Sequence, residues 1–167
     1  MRRLVVMRHA KAEQDGPTDF DRPLAARGHR DAEEAGRWLA GIGPAPDHAL
    51  VSAALRTRET WAYVEAGADW DLDPELDRGL YAAGPDTALD LIRLTGDDVT
   101  SLVVVGHNPT MGSLAQLLDD GDASPEHAEG LVSGFPTSAV AVFDHDGSWA
   151  DLGWGSASLV DFHVGRG

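Results

Sequence analysis

Runs of apolar residues alternate with amphipathic segments along most of the chain. The clearest runs cover residues 4–7 (LVVM) and 101–105 (SLVVV), and both are typical of strands that are buried on two faces. A shorter apolar run at 49–51 predicts another strand. Between these runs, apolar residues recur at helical spacing, and Gly or Pro residues end the segments. Helices are therefore predicted over residues 24–42, 53–66, 85–94 and 109–118.

Two of the predicted helices follow residues that favour helix starts. Ser52 directly precedes the second helix and is a good N-cap residue. Asn108 is predicted to cap the fourth helix, with Pro109 in its first turn. Residues 69–76 look extended and polar, and Pro74 within them predicts an edge strand or an outgoing loop.

The last third of the chain has a different pattern. Residues 119–136 are rich in Asp, Gly, Ser, Glu and Pro, and they are predicted to form a loop. Two later segments, 139–143 and 149–154, are separated by His145-Asp146-Gly147 and predict a terminal hairpin. In that hairpin, we expect Trp149 and Trp154 to pack in the core or against the sheet.

The repeated order of strand and helix defines the expected fold. It predicts an α/β protein, a three-layer α/β/α sandwich with a mostly parallel central sheet. The length of 167 residues, with 43% hydrophobic content, suits one domain over residues 1–167.

The composition narrows the possible partners and compartments. With 28 acidic and 13 basic residues the net charge is −15, which makes nucleic acid and anionic membranes unlikely partners. The chain has no cysteine, so it can form neither disulfides nor thiolate metal sites. Only four apolar residues separate Arg3 from Arg8, too few for the core of a signal peptide, and no segment approaches the about 18 apolar residues of a membrane span. We therefore expect a cytoplasmic protein.

Cationic residues are concentrated near the beginning of this acidic chain. Ten of the thirteen lie within the first 58 positions. Three of them, Arg27, Arg30 and Arg37, fit a solvated helix face. Others follow predicted strands directly, and such a cluster can serve to bind an anion.

Three predicted strands end in chemically active residues. Arg8 and His9 follow the first strand, Arg56 lies one helical turn beyond Ser52 after the second, and His107 follows the strand at 101–105. Ligands of open parallel sheets bind at the carboxyl ends of the strands, so these side chains should share one edge.

The residue types at this edge favour phosphoryl chemistry. Guanidinium groups match the oxygens of a phosphoryl group, and phosphoryl transfer depends mainly on positioning and charge stabilisation. Because the chain has no cysteine, and the only carboxylates in these segments are Glu13 and Glu59, a neutral imidazole is the best-placed nucleophile.

Several segments resemble one known family. LVVMRHAKAE resembles the Arg-His-Gly signature of the histidine phosphatase (phosphoglycerate mutase-like) superfamily, and SAALRTRETW resembles its second arginine motif. VVVGHNPTM is similar to the segment that carries its second histidine, RPLAARG to the segment before its first long helix, and FPTSAVAVF to its late strand. The length of the chain and its Arg-Pro-Leu, Gly-His-Asn-Pro and Pro-Thr-Ser-Ala segments look most like the SixA group of phosphohistidine phosphatases.

The resemblance implies a phosphoglycerate mutase-like fold and a role for each matching residue. His9 would be the nucleophile that takes up the phosphoryl group. Arg8 and Arg56 would bind its oxygens, His107 would donate to the same group, and Arg22 could contact the substrate. Water would then hydrolyse the phosphohistidine intermediate, with no metal and no cofactor.

The chain departs from the family pattern at three places. Ala10 replaces the glycine of the first signature, and Ala25 replaces the threonine of the Arg-Pro-Leu-Thr segment. Family members that cleave phosphate esters carry a glutamate proton donor after the second motif, whereas this chain offers only Glu75 and Asp77 as weak candidates there.

The missing proton donor bears on the choice of substrate. An alkoxide leaving group needs protonation, whereas imidazole, whose conjugate acid has a pKa of about 6.5, leaves more easily. We therefore expect the substrate to be phosphohistidine in a protein. A small phosphorylated metabolite is the alternative, and a second alternative is a phospho-ligand binding module without catalysis. The chain lacks the motifs of serine hydrolases, of kinases with a glycine-rich loop and of histidine metal sites.

Overall fold

A computed structural model describes residues 1–167 and contains one six-stranded sheet. Its strands are β1 (Arg2–Arg8), β2 (His48–Ser52), β3 (Glu75–Asp77), β4 (Ser101–Gly106), β5 (Ala139–His145) and β6 (Ser158–Val164). Their spatial order is β3-β2-β4-β1-β5-β6. The first four strands run parallel, and β5 and β6 are antiparallel to their neighbours. The mostly parallel sheet predicted from the sequence is confirmed.

Helices cover both faces of this sheet. They are α1 (Ala26–Ile42), α2 (Leu55–Ala68), α3 (Pro85–Arg93), α4 (Thr110–Leu118) and α5 (Pro125–Val132). Successive strand residues point to opposite faces, so Val5 and Met7 of β1 pack with α1 and α2, whereas Leu4 and Val6 pack with the other three helices. The three-layer α/β/α sandwich is therefore confirmed. None of the helices is both long and apolar enough to span a bilayer.

Helices α1 and α2 lie unusually close to each other because glycines face the contact. A Cβ added at Gly36 would lie 2.1 Å from the carbonyl oxygen of Val64, and one at Gly67 would lie 2.0 Å from the carbonyl oxygen of Glu33. No real Cβ approaches an oxygen so closely. Glycine is therefore required at both positions for this packing.

Two sequence predictions for the last third of the chain are wrong. The predicted loop at 119–136 contains α5, which begins in the sequence Ser124-Pro125: the Ser124 hydroxyl accepts a hydrogen bond from the amide of His127, and Pro125 occupies the first turn. Its polar composition concealed it, because Leu131 is its one fully buried residue.

The second strand of the hairpin is β6, not residues 149–154. Trp149 begins a short 3-10 turn, is completely buried, and donates from Nε1 to the carbonyl of Val99 at 2.7 Å. Trp154 is 41% exposed, so it does not belong to the core. The apolar residues at 149–154 are thus explained by one buried anchor in a connection and not by a strand.

Candidate active site

The strand order brings the predicted site residues together. Strand β4 lies between β1 and β2, with Arg8 beside Gly106 and Val51 beside Val105. The residues that follow these strands therefore meet at one edge. The rings of His9 and His107 lie there with their centroids 5.4 Å apart.

His9 is held by hydrogen bonds that leave one ring nitrogen free. Its backbone amide donates to Gly106 at 3.0 Å, and its carbonyl accepts from Ser138 at 3.1 Å. Its Nδ1 lies 2.7 Å from the carbonyl oxygen of Ala10. A carbonyl can only accept, so Nδ1 carries the proton and Nε2 keeps its lone pair.

The surroundings keep both histidines neutral. Burial, together with the nearby His107, Arg56 and Arg8, lowers the pKa of His9 to about 3, against the opposing effect of the hydrogen bond to the Ala10 carbonyl. Burial, together with the positive charge of Arg56, lowers the pKa of His107 to about 4. At neutral pH His9 is therefore unprotonated at Nε2, as a nucleophile must be.

Two arginines present buried donors at the same edge. Nε of Arg8 and Nε of Arg56 are both buried and have no partner within the protein, and the same is true of Nδ1 of His107. Arg8 makes only a long contact of 3.4 Å from Nη1 to the carbonyl of Phe135. These three nitrogens are therefore unsatisfied within the folded chain, and the side chains that carry them meet at one cavity.

These residues line a cavity of about 250 Å³. It is lined by Arg8, His9, Lys11, Ala12, Gln14, Arg22, Arg56, His107, Asn108 and Thr137. The lining thus includes four cationic side chains and two histidines but no carboxylate. Arg22, predicted as a possible substrate contact, reaches the cavity while its Nε donates to Asp19 at 3.1 Å. The cavity is suited to an anion.

The predicted helix caps differ from the structure. Ser52 is the last residue of β2 and Ala54 is the N-cap of α2, so the prediction for Ser52 is wrong. The Ser52 hydroxyl lies instead 2.7 Å from Nε2 of His107, and this contact fixes the imidazole. Asn108 lies one residue before the N-cap, Pro109, although its Oδ1 still accepts from the amide of Gly112 at 3.1 Å.

The two alanine departures have different consequences. Ala10 is completely buried and is not among the residues with positive φ, so the backbone accepts its methyl group. Its amide donates to the hydroxyl of Thr60 at 3.0 Å. Ala25 occupies the N-cap position of α1 with φ −73° and ψ 161°, and no side chain caps the helix there. The hydroxyl missing at position 25 is thus a missing helix cap.

Neither candidate proton donor lies in the cavity lining. Glu75 contacts His48, with 3.6 Å between Oε1 and Nε2, and the Asp77 carboxylate accepts from the amide of Gly79 at 2.6 Å. The sequence analysis instead missed Asp19 and Tyr81, which contact Arg56 from outside the cavity. No local pattern marks either residue, because their proximity to Arg56 arises only in the folded chain. No group of three or more His, Cys, Asp or Glu side chains is placed to hold a metal ion.

The chain is similar in sequence to one family model and to several known proteins. Residues 4–81 match the model of the histidine phosphatase superfamily (branch 1). The chain is 31% identical over 144 residues to the phosphohistidine phosphatase SixA of Escherichia coli, covering 81% of both chains. It is 45% identical over 162 residues to an uncharacterised protein of Mycobacterium tuberculosis, covering 96% of this chain and 100% of the relative.

Solved structures give the same result. A candidate phosphohistidine phosphatase SixA from Nakamurella multipartitia superposes with a TM-score of 0.86 at 34% identity, over 98% of this chain and 96% of the other. A protein histidine phosphatase SixA in complex with tungstate superposes with a TM-score of 0.74 at 26% identity, over 97% and 96% of the two chains. The phosphoglycerate mutase-like fold implied by the sequence motifs is thereby confirmed.

Proposed function

Because this chain is a phosphatase that belongs to the histidine phosphatase superfamily, we propose that it removes phosphoryl groups from phosphohistidine side chains of proteins. The observation that carries the proposal is the cavity around a neutral His9, whose lining includes four cationic side chains and His107 but no carboxylate. We take residues 1–167 as one catalytic domain, since all six strands join one sheet. We place the activity in the cytoplasm, in keeping with the cysteine-free composition.

In the first step, Nε2 of His9 attacks the phosphorus atom. A bond forms between Nε2 and phosphorus while the bond from phosphorus to the leaving nitrogen breaks, and the electron pair stays on that nitrogen. The substrate ring reacts with its other nitrogen protonated, so it leaves as neutral imidazole. Arg8, Arg56 and His107 bind the non-bridging oxygens, where negative charge is concentrated. The hydrogen bond from Nδ1 to the Ala10 carbonyl stabilises the positive charge that the His9 ring acquires.

In the second step, water attacks the phosphorylated His9 and releases inorganic phosphate. The bond between Nε2 and phosphorus breaks, its electron pair returns to Nε2, and both protons of the water leave on the oxygens of the released phosphate. The same arginines hold the phosphoryl group in both steps, so one cavity serves the whole cycle.

The substrate class follows from the leaving group. No carboxylate lines the cavity to protonate an alkoxide, so esters with poor leaving groups should react slowly. An imidazole leaves with an electron pair on a nitrogen whose conjugate acid has a pKa of about 6.5, and it needs far less assistance. Phosphohistidine therefore suits this site better than the small phosphate esters of metabolism.

The replacement His9→Ala tests the nucleophile. It should abolish hydrolysis of a phosphohistidine protein and of p-nitrophenyl phosphate, while the control His127→Ala, on α5, should retain wild-type rates. Rapid acid-free quenching of the wild type with labelled substrate should trap a phosphoenzyme that His9→Ala lacks. Full turnover by His9→Ala would refute the assignment.

A comparison of substrates tests the choice of phosphohistidine. Rates are measured side by side for a phosphohistidine protein and a panel of phosphate esters, before and after exhaustive chelation. A preference for the protein, unchanged by chelation, is expected. A preference for the esters would favour a metabolite phosphatase, binding without turnover would favour a phospho-ligand binding module, and loss of activity on chelation would point to a metal.

A further inference from the structure

Asp19 is the main partner of Arg56. The backbone carbonyl of Asp19 accepts from Nη1 of Arg56 at 2.8 Å, and its carboxylate oxygen Oδ2 lies 3.3 Å from Nη2. The hydroxyl of Tyr81 donates to the same Oδ2 at 2.5 Å. The other carboxylate oxygen, Oδ1, accepts from Nε of Arg22 at 3.1 Å. Asp19, in the loop before α1, thus binds donors from three residues, and two of them, Arg56 and Tyr81, come from other segments.

These contacts use one specific edge of the guanidinium group. Asp19 contacts Nη1 and Nη2 of Arg56, which form the end edge, whereas Nε has no partner within the protein and is buried. A pair of guanidinium N–H donors matches two oxygens of a phosphoryl group. Arg56 lines the cavity and Asp19 does not. Asp19 therefore holds Arg56 from outside the cavity that this side chain lines.

Tyr81 lies next to both Arg56 and His107. Its ring centroid lies 5.9 Å from Cζ of Arg56, and the ring meets that of His107 edge to face at 5.6 Å. Phe20 packs edge to face against Tyr81 at 5.0 Å, which limits the orientations of the phenol. The hydroxyl is thus held where it can donate to Asp19.

We propose that Asp19 and Tyr81 are positioning residues that hold the Arg56 guanidinium at the cavity, where it binds the phosphoryl group. The inference rests on the proposed function, since it assigns to Arg56 the binding of the transferred group. Asp19 acts through Arg56 and does not touch the substrate.

Asp19 is unsuited to the role of the missing proton donor. The hydrogen bond from Tyr81, followed by the charge and hydrogen bond of Arg56, lowers the pKa of its carboxyl group below its usual value. A carboxylate that is ionised throughout the neutral range has no proton to give. The two roles also differ in their consequences: loss of an acid slows poor leaving groups selectively, whereas misplacement of Arg56 weakens the binding of every phosphoryl group equally.

The first test measures anion binding without turnover. Tungstate, an analogue of phosphate, is titrated calorimetrically into the wild type, Asp19→Asn, Tyr81→Phe and the control Asp21→Asn, whose carboxylate bonds only to Thr18. Because hydrogen bonds to charged groups are the strong ones, Asp19→Asn should raise the Kd about tenfold and Tyr81→Phe about threefold. The control should stay within about twofold of the wild type. An unchanged Kd in Asp19→Asn would overturn the proposal. A lower Kd would also overturn it, because Asp19 would then compete with the anion for Arg56.

The second test separates positioning from proton donation. The ratio of kcat/KM between Asp19→Asn and wild type is measured for a phosphohistidine protein, for p-nitrophenyl phosphate and for an alkyl phosphate. Equal losses with all three, expressed mainly in KM, are expected. A loss that grows as the leaving group becomes worse would identify Asp19 as an acid and refute positioning.

The two tests keep this proposal apart from the proposed function. If the wild type hydrolyses no phosphohistidine, the proposed substrate is wrong, but the tungstate titration still reports on Arg56. If the wild type hydrolyses phosphohistidine but the Kd for tungstate is the same in the Asp19 and Tyr81 variants, only the positioning role is wrong. Thermal unfolding of each variant verifies that the fold is intact. If Asp19→Asn is unstable, the test relies on Tyr81→Phe, which removes only a single oxygen atom.

Discussion

The two active-site histidines should make the fold sensitive to mild acid. Their pKa values in the folded protein are about 3 for His9 and about 4 for His107, below the ordinary value of 6.5. In the unfolded chain both imidazoles titrate near that ordinary value. Between these limits the unfolded state binds more protons than the folded state, so the free energy of unfolding must fall as the pH falls.

The size of the effect follows from the same values. Lowering the pH from 7 to 5 protonates both imidazoles almost fully in the unfolded chain and hardly at all in the folded one. Linkage then gives a loss of about 2 kcal/mol for each histidine, or about 4 kcal/mol for the pair. Against a typical total stability of about 5–15 kcal/mol, this is a large fraction.

Urea denaturation at pH 7 and pH 5 measures the loss. The wild type is compared with the double variant His9→Asn/His107→Asn, which lacks both titrating groups but keeps the carboxylates that also lose stability in acid, such as Asp47. We expect the wild type to lose about 3–4 kcal/mol more than the double variant over this interval. A difference below about 1 kcal/mol would show that these imidazoles are not kept neutral by the fold, and the argument for a neutral nucleophile would fail with it.

Two further predictions concern α1. Ala25 already has the extended conformation of an N-cap, so Ala25→Ser should add the missing N-cap hydrogen bond. In urea denaturation this should raise the free energy of unfolding by about 1 kcal/mol. No gain would show that the cap geometry is unsuitable. Gly36→Ala should lower the melting temperature by several degrees, because its Cβ would collide with the Val64 carbonyl. The control Gly41→Ala lies in the same helix, has open space around its Cβ and should not lower the melting temperature. Equal effects of the two substitutions would refute the close contact of α1 with α2.

The sequence predicted the parts of the molecule that depend on local pattern. Apolar runs located β1, β2 and β4, and helical spacing located α1, α2, α3 and α4. The positions of His9, Arg56 and His107 followed from the rule that ligands bind at the carboxyl ends of parallel strands. Their meeting was predictable because each follows a strand directly or by one helical turn.

Features that depend on tertiary contacts could not be predicted from the sequence. Ser52 has the chemistry of an N-cap, but in the fold its hydroxyl bonds to His107, which lies 55 residues away. Asp19 contacts Tyr81 across 62 residues, and neither belongs to a motif. Helix α5 was concealed for the opposite reason: its capping signal was present, but its largely exposed surface left no apolar period to detect.

The position of β4 determines when the proposed phosphate site can first form during synthesis. Neighbouring strands are about 4.8 Å apart, so β1 and β2, which have β4 between them, are separated by about 10 Å. Until residues 101–106 have left the ribosome and inserted, no strand joins the segment that carries His9 to the one that precedes Arg56. The nascent N-terminal half therefore lacks part of the proposed anion site, so binding of phosphate at that site would require completion of the central sheet.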